Sequence, residues 1–213
     1  SIGSAAFSKC TRLSSVFIPN GVTTIGNSMF SECTSLSSVS IPDSITSIGD
    51  FAFHSCSGLS SVSLPYGVVS IGENAFSGCS SLPSITIPEG VTSIKIGTFH
   101  SCSNLSSVSI PSSVTSIADG SFAYCTGLSS VAIPGSLTSI GCYAFLGCTN
   151  LTTFSIPGSI VAIGEEAFSG CSSLSSVTFP DGLISIGASA FFGCTNLSSV
   201  TLPDSTIVVD DNA

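Results

Sequence analysis

The stretch from Ser70 to Gly90, SIGENAFSGCSSLPSITIPEG, is one copy of a unit that recurs along the whole chain. Four of its positions return nine times at intervals of 23 residues, with no insertion or deletion. These four series begin at Phe7, Cys10, Leu13 and Pro19, and they end at Phe191, Cys194, Leu197 and Pro203. A strict period of this length is the signature of a solenoid, in which each repeat forms one coil that stacks on the next.

The unit contains two short segments that are typical of strands. Val39-Ser40-Ile41 alternates apolar and polar residues, which predicts a strand with one buried face, and Pro42 ends it because proline has no amide hydrogen to donate. Val114 to Ile117 predicts a second short extended piece. The compact apolar segment A-F-x-G-C predicts a turn of 3₁₀- or α-helix on the opposite side of the coil.

Coils of equal length and direction stack in parallel, about 4.8 Å apart. We therefore expect a mostly β repeat solenoid with the Phe, Cys, Leu, Val and Ile positions turned inward, stabilised by contacts between neighbouring coils. Residues 1–205 form a single solenoid of nine repeats in this interpretation. Residues 206–213 diverge from the unit and are either a tail or a partial cap.

The composition excludes several classes of function. Charged residues make up only 7% of the chain. The net charge is −9 because there are twelve acidic residues and only three basic ones, Lys9, Arg12 and Lys95. Binding of nucleic acid or of an anionic membrane surface needs clustered Lys and Arg, so neither is expected. No apolar run approaches the roughly 18 residues of a membrane-spanning helix.

The segment from Leu59 to Cys79, LSSVSLPYGVVSIGENAFSGC, resembles the BspA-type leucine-rich repeats. The resemblance covers residues 1–205 and implies a horseshoe-like, right-handed coil with a concave parallel sheet and short 3₁₀ or extended segments on the convex side. It also implies an extracellular or cell-surface protein that adheres to host proteins or to other cells. Three positions depart from the unit, namely Met29, Pro83 and Lys95.

The regular cysteine series has three interpretations. Buried free thiols fit because Cys is small, apolar and commonly buried. Disulfides between adjacent coils are within reach, but parallel side chains at identical positions rarely reach the required dihedral angle. A metal stack needs ligands that converge tetrahedrally, which a row does not provide.

Other reactive residues are few, and no cofactor or catalytic function is expected. Cys142 lies outside the regular series at a position of surface residue types, which predicts an exposed thiol able to form an intermolecular disulfide. His54 and His100 are two coils apart, too far for one metal ion or a shared proton. No Gly-x-Ser-x-Gly elbow or phosphate-binding loop occurs.

The outward strand position predicts the interaction surface. It is a flat, neutral row of mostly hydroxyl side chains, comprising Phe17, Ser40, Ser63, Thr86, Ser109, Ala132, Ser155, Thr178 and Thr201. Binding faces usually display aromatic or arginine anchors, and Phe17 is the only one in this row. The sequons at Asn104, Asn150 and Asn196 are either glycosylated or simply turn residues.

These features favour a non-enzymatic scaffold for cell-surface adhesion or recognition, with a protein or glycan ligand. The alternative is a structural element of an extracellular filament or sheath that self-associates through uncapped ends or strand edges. Two further hypotheses are that the chain is a passive spacer and that its regular hydroxyl rows bind ice.

Overall fold

The computed structural model describes residues 2–213, and this part of the chain is a solenoid with a 23-residue coil. Each coil gives one or two short strands to parallel sheets. The first strands are Ser15–Phe17, Ser38–Ser40, Ser61–Val62, Ser84–Thr86, Ser107–Ser109, Thr153–Ser155 and Ser176–Thr178. The second strands are Thr24–Ile25, Ser47–Ile48, Ser70–Ile71, Ser93–Ile94, Ser116–Ile117, Ser139–Ile140, Ala162–Ile163, Ser185–Ile186 and Val208–Val209. The predicted mostly β solenoid with parallel sheets is confirmed.

Every strand pairs with the equivalent strand one coil away. Val16 lies opposite Val39, and Ile117 lies opposite Ile140, so the register equals the 23-residue repeat. The last second-type strand, Val208–Val209, pairs with Ser185–Ile186 in the same register. The segment from 206 to 213 therefore continues the coil, although its sequence no longer follows the unit.

The prediction of a helical turn for the segment A-F-x-G-C is wrong. Within residues 2–213, this segment is a series of tight turns in every coil. Every second amide closes a turn on the carbonyl three residues earlier, as Cys33 does with Phe30 at 3.1 Å. The amides between them donate to the next coil: Ser28 to Asp50, Phe30 to Ala52 and Glu32 to His54, at 2.7–2.8 Å. A helix would use all of these amides internally and would leave the coils unconnected on this side.

Two positions in each of these turn segments have a left-handed backbone. The first left-handed row contains Ala5, Ser28, Phe51, Asn74, Gly97, Gly120, Tyr143, Glu166 and Ser189. The second left-handed row contains Lys9, Glu32, Ser55, Gly78, Ser101, Tyr124, Gly147, Gly170 and Gly193. A residue with a side chain costs roughly 1–2 kcal/mol in this conformation. The hydrogen bonds between coils hold the backbone there despite that cost.

The core is built around one stack of nine phenylalanine rings, from Phe7 to Phe191. Neighbouring ring centroids are 5.3–5.8 Å apart, and the ring planes differ by no more than 15°. Parallel rings at this spacing are offset, which is a favourable arrangement for aromatic pairs. The rings from Phe30 to Phe168 are fully buried.

Serine and threonine hydroxyls tie the coils together at the surface. Ser37 and Ser60 each donate a hydrogen bond to the carbonyl oxygen 23 residues earlier, at 3.1 and 3.2 Å. Thr115 does the same from the second strand side at 3.2 Å. Much of the serine content thus serves the contact between coils and not only solubility.

Candidate interaction surface

The predicted row of outward strand residues lies on one face of the first-strand sheet. All of its members are exposed: Phe17, Ser40, Ser63, Thr86, Ser109, Ala132, Ser155, Thr178 and Thr201. Phe17, at one end, is 74% exposed, so its ring is available to a partner. The structure therefore places these residues together on a long, mostly hydroxyl-bearing face, and their role in binding stays a prediction.

This sheet is interrupted at Pro83. At the equivalent position of other coils, the amides of Ser37 and Ser60 donate to the carbonyl one coil back, each at 3.0 Å. Pro83 has no amide hydrogen to donate to Ser60. The strands Ser61–Val62 and Ser84–Thr86 are accordingly not paired, although each pairs with its other neighbour. Pro83 accounts for the missing hydrogen bond at this point. The first strands also stop forming a continuous sheet after Ser109, and the second strands do so between Ser70–Ile71 and Ser93–Ile94, neither of which contains a proline.

A groove of about 430 Å³ lies at this interruption. It is lined by Ser63, Thr86 and Ser109 of the predicted row and by Tyr66 and Glu89. Tyr66 is 92% exposed, more than any other large hydrophobic side chain described. The groove therefore combines an aromatic ring and a carboxylate with several hydroxyl groups. We call it the strand groove.

Sequence reasoning missed Tyr66. It sits directly after Pro65, outside the strand alternation, where other coils carry Asp43, Glu89 or Ser112. The signal was present, because tyrosine is unusual at that polar position. The predicted interaction surface was limited to the outward strand row and therefore did not include it.

The regular thiols are free and, from Cys33 to Cys194, buried, whereas Cys10 at the first coil is exposed. Burial raises the pKa of Cys56, Cys102 and Cys148 to about 12. These thiols stay protonated and unreactive at neutral pH. Cys142 is half-buried and not fully exposed as the sequence suggested; its amide is held by the Oδ1 atom of Asp119 at 2.9 Å.

The histidines lie on the turn side, away from the strand groove, and both are partly buried. His54 Nε2 is 3.1 Å from Ser55 Oγ, and His100 Nδ1 is 2.9 Å from Ser101 Oγ. Burial, and then repulsion from His54, lowers the pKa of His100. Within residues 2–213, no three His, Cys, Asp or Glu side chains converge as a metal site would require.

The three sequon asparagines, Asn104, Asn150 and Asn196, are exposed at the turn before the first strand. Their use as glycosylation sites stays a prediction. Across the described residues, no helix is long and apolar enough to span a membrane.

Comparison with known proteins agrees with this geometry. The model of the BspA type leucine-rich repeat region matches residues 1–128 and 92–213, which together span the chain. The chain belongs to the BspA-type leucine-rich repeat family. This family membership confirms the resemblance in the repeat unit. The search of curated proteins gave no match.

Among solved structures, the chain is similar to a leucine-rich cell-surface protein of Faecalibacterium prausnitzii, with 31% identity and a TM-score of 0.61. The match covers 99% of this chain. It spans 63% of the chain of the F. prausnitzii protein. A leucine-rich repeat protein of T. pallidum matches with 27% identity and a TM-score of 0.65, over 86% of this chain and 78% of its own. One from Bacteroides ovatus matches with 28% identity and a TM-score of 0.56, over 98% and 78%.

Proposed function

We propose that this chain is the ligand-binding solenoid of a bacterial cell-surface protein and that it recognises a polypeptide through the strand groove. It acts by binding and not by catalysis. The observation that carries this proposal is the groove at Pro83, where Tyr66 stands 92% exposed beside Thr86.

The groove suits an extended polypeptide for two reasons. Because Pro83 has no amide hydrogen, the carbonyl oxygen of Ser60 lacks the donor that the equivalent carbonyls of Ser14 and Ser37 have, and it can accept a hydrogen bond from an extended main chain. Exposed tyrosine rings are also frequent anchors in protein interfaces, since they bury much apolar area and lose little side-chain entropy. The similarity to the F. prausnitzii cell-surface protein supports the location.

Three variants test this proposal by surface plasmon resonance against a panel of extracellular-matrix and epithelial surface proteins. Tyr66→Ala removes the exposed ring, and we expect a loss of affinity for the bound protein of about tenfold or more. Pro83→Ser supplies the missing amide, and we expect it to join the two strands and weaken binding. Phe192→Ala removes a ring that is 63% exposed on the turn side and is the matched control.

The proposal is overturned if no protein of the panel binds the wild-type chain. It is also overturned if Tyr66→Ala and Phe192→Ala bind equally well. Circular dichroism on each variant separates a loss of binding from a loss of folding.

End-to-end assembly is the second candidate function. The last coils present a hollow of about 480 Å³ with exposed apolar groups, among them Val200, Leu202 and Val209. At the opposite end, the ring of Phe7 is 37% exposed. Because all coils share one register, we expect the first coil of one molecule to stack on the last coil of another.

Analytical ultracentrifugation tests this second candidate. Assembly predicts a sedimentation coefficient that rises with concentration, and Leu202→Glu should abolish the rise. A monomer at all concentrations would contradict end-to-end assembly.

A further inference from the structure

The turn side of the solenoid contains a second hollow, of about 310 Å³, that is separate from the strand groove. It arises because two successive coils carry glycine in the first left-handed row, at Gly97 and Gly120. The neighbouring coils carry side chains at the same position, Asn74 on one side and Tyr143 on the other. The side chain of Asn74 covers Gly97, whereas a Cβ placed at Gly120 would meet no atom within 4 Å. The open space at Gly120 is what we call the turn-side hollow.

Aromatic rings line one side of this hollow. The rings of His100 and Tyr124 meet edge to face, with centroids 5.4 Å apart. Tyr124 lies over Gly147, where an added Cβ would be only 2.8 Å from its Cδ1 atom. Tyr143 completes the wall and is 37% exposed. Because Gly147 leaves space for it, the ring of Tyr124 lies along the surface with 47% of its area exposed.

The charge around the hollow is negative. Asp119 lines it, and the phenolic hydroxyl of Tyr143 donates a hydrogen bond to Glu165 Oε1 at 3.3 Å. The charge of Glu165, the largest influence, together with that of Glu166, raises the pKa of Tyr143, which indicates a negative potential at this ring. None of the three basic residues lines the hollow, and Lys95, which precedes the lining residue Ile96, is the one nearest to it in the sequence.

We propose that the turn-side hollow binds an arginine side chain of a basic polypeptide. A guanidinium group is planar and weakly hydrated, so it stacks on aromatic rings more favourably than an ammonium group does. The carboxylate of Asp119 can accept its hydrogen bonds at the rim. The site is independent of the strand groove, since it lies on the opposite side of the coil and uses different residues.

The test is the fluorescence anisotropy of a labelled oligo-arginine peptide, compared with oligo-lysine and with uncharged oligo-citrulline. We expect saturable binding of the arginine peptide, weaker binding of the lysine peptide and none of the citrulline peptide. The same preference should persist in Tyr66→Ala, which separates this site from the strand groove and from the proposed function.

Two substitutions act on the shape and the aromatic wall. Gly120→Asn fills the hollow and is compatible with the fold, because an added Cβ meets no atom within 4 Å and Asn74 already adopts this backbone. We expect it to abolish binding, whereas Ser189→Asn in the same row, three coils away, leaves binding unchanged. Tyr143→Asn removes the ring and should weaken binding about three- to thirtyfold, while Tyr143→Phe retains most of it.

A matched pair of substitutions separates local from general electrostatics. Asp119→Asn keeps the acceptor for the amide of Cys142, as Asn27 does for Asp50 at 3.0 Å. Asp43→Asn changes the net charge by the same amount elsewhere. Equal losses in the two variants, or full binding by Gly120→Asn, would overturn the proposal.

Discussion

The thiol of Cys102 donates a hydrogen bond to the main-chain oxygen of Phe76, 3.1 Å away in the preceding coil. The same oxygen accepts the amide of Cys79 at 3.0 Å, so both of its lone pairs are used. The contact recurs in eight coil pairs, from Cys33 with Phe7 to Cys194 with Phe168. The cysteine is therefore more than an apolar side chain, because it satisfies a buried carbonyl.

Replacing this thiol should destabilise the solenoid. Cys102→Ala leaves the Phe76 oxygen with one partner and creates a small cavity, and we expect a loss of about 1–2 kcal/mol in the free energy of unfolding. Urea denaturation followed by circular dichroism measures it. Cys142→Ala, outside the regular series, is the control and should change stability by less than about 0.5 kcal/mol. Equal effects of the two would contradict the role of the S–H donor.

Thiol labelling should distinguish two classes of cysteine. In the native protein at neutral pH, a thiol reagent should modify Cys10 and Cys142 and leave the eight buried thiols intact. Unfolding in guanidinium should make all ten react. Mass spectrometry of the labelled peptides measures both states. Rapid labelling of Cys102 in the native state would contradict the buried arrangement.

Stability should fall in alkaline solution. In the folded chain the pKa of Cys56, Cys102 and Cys148 is raised to about 12, whereas an unfolded thiol ionises at its ordinary value of 9.0. The contribution of these protonated thiols to the free energy of unfolding is complete below pH 9 and is lost as the pH rises from 9 towards 12. In that window, each such thiol lowers the free energy of unfolding by about 1.4 kcal/mol per pH unit. Denaturation at pH 8, 9 and 10 measures the slope, which Cys102→Ala should reduce; an unchanged slope would refute the assignment.

Removing one hydroxyl should stabilise the chain. Ser121 is fully buried, and its Oγ atom has no hydrogen-bond partner. Alanine occupies the same position in other coils, for example Ala75 and Ala144, so Ser121→Ala fits the space. We expect an increase of about 1–3 kcal/mol in the free energy of unfolding. Ser106→Ala is the contrast, because its hydroxyl bonds to the Pro83 oxygen at 3.1 Å and its loss should lower stability.

The period of the sequence predicted most of the fold. Identical spacing of Phe, Cys and Leu dictates one register for every coil, so stacking direction and core followed from the sequence. The turn segment could not be predicted in the same way. Its alternating amides bond to the next coil, and left-handed residues such as Phe51 and Glu166 have no local preference for that backbone. Tertiary hydrogen bonds impose the conformation.

The candidate sites were predictable in part. The exposed hydroxyl row followed from strand alternation alone. The strand groove did not, because it depends on a missing donor at Pro83 and on Tyr66 at a position outside the alternation. The turn-side hollow depends on which coils carry glycine, and its shape appears only when Gly97 and Gly120 are stacked between Asn74 and Tyr143.

The hydrogen bonds between coils, on both the strand and the turn sides, run along the solenoid axis. A force that pulls the two ends apart therefore acts on the bonds of one coil at a time instead of shearing many together. Each coil that opens exchanges a rise of about 4.8 Å for an extended length of roughly 80 Å. Under tension the molecule should lengthen in equal steps and recover as the coils close again, which makes it a molecular spring.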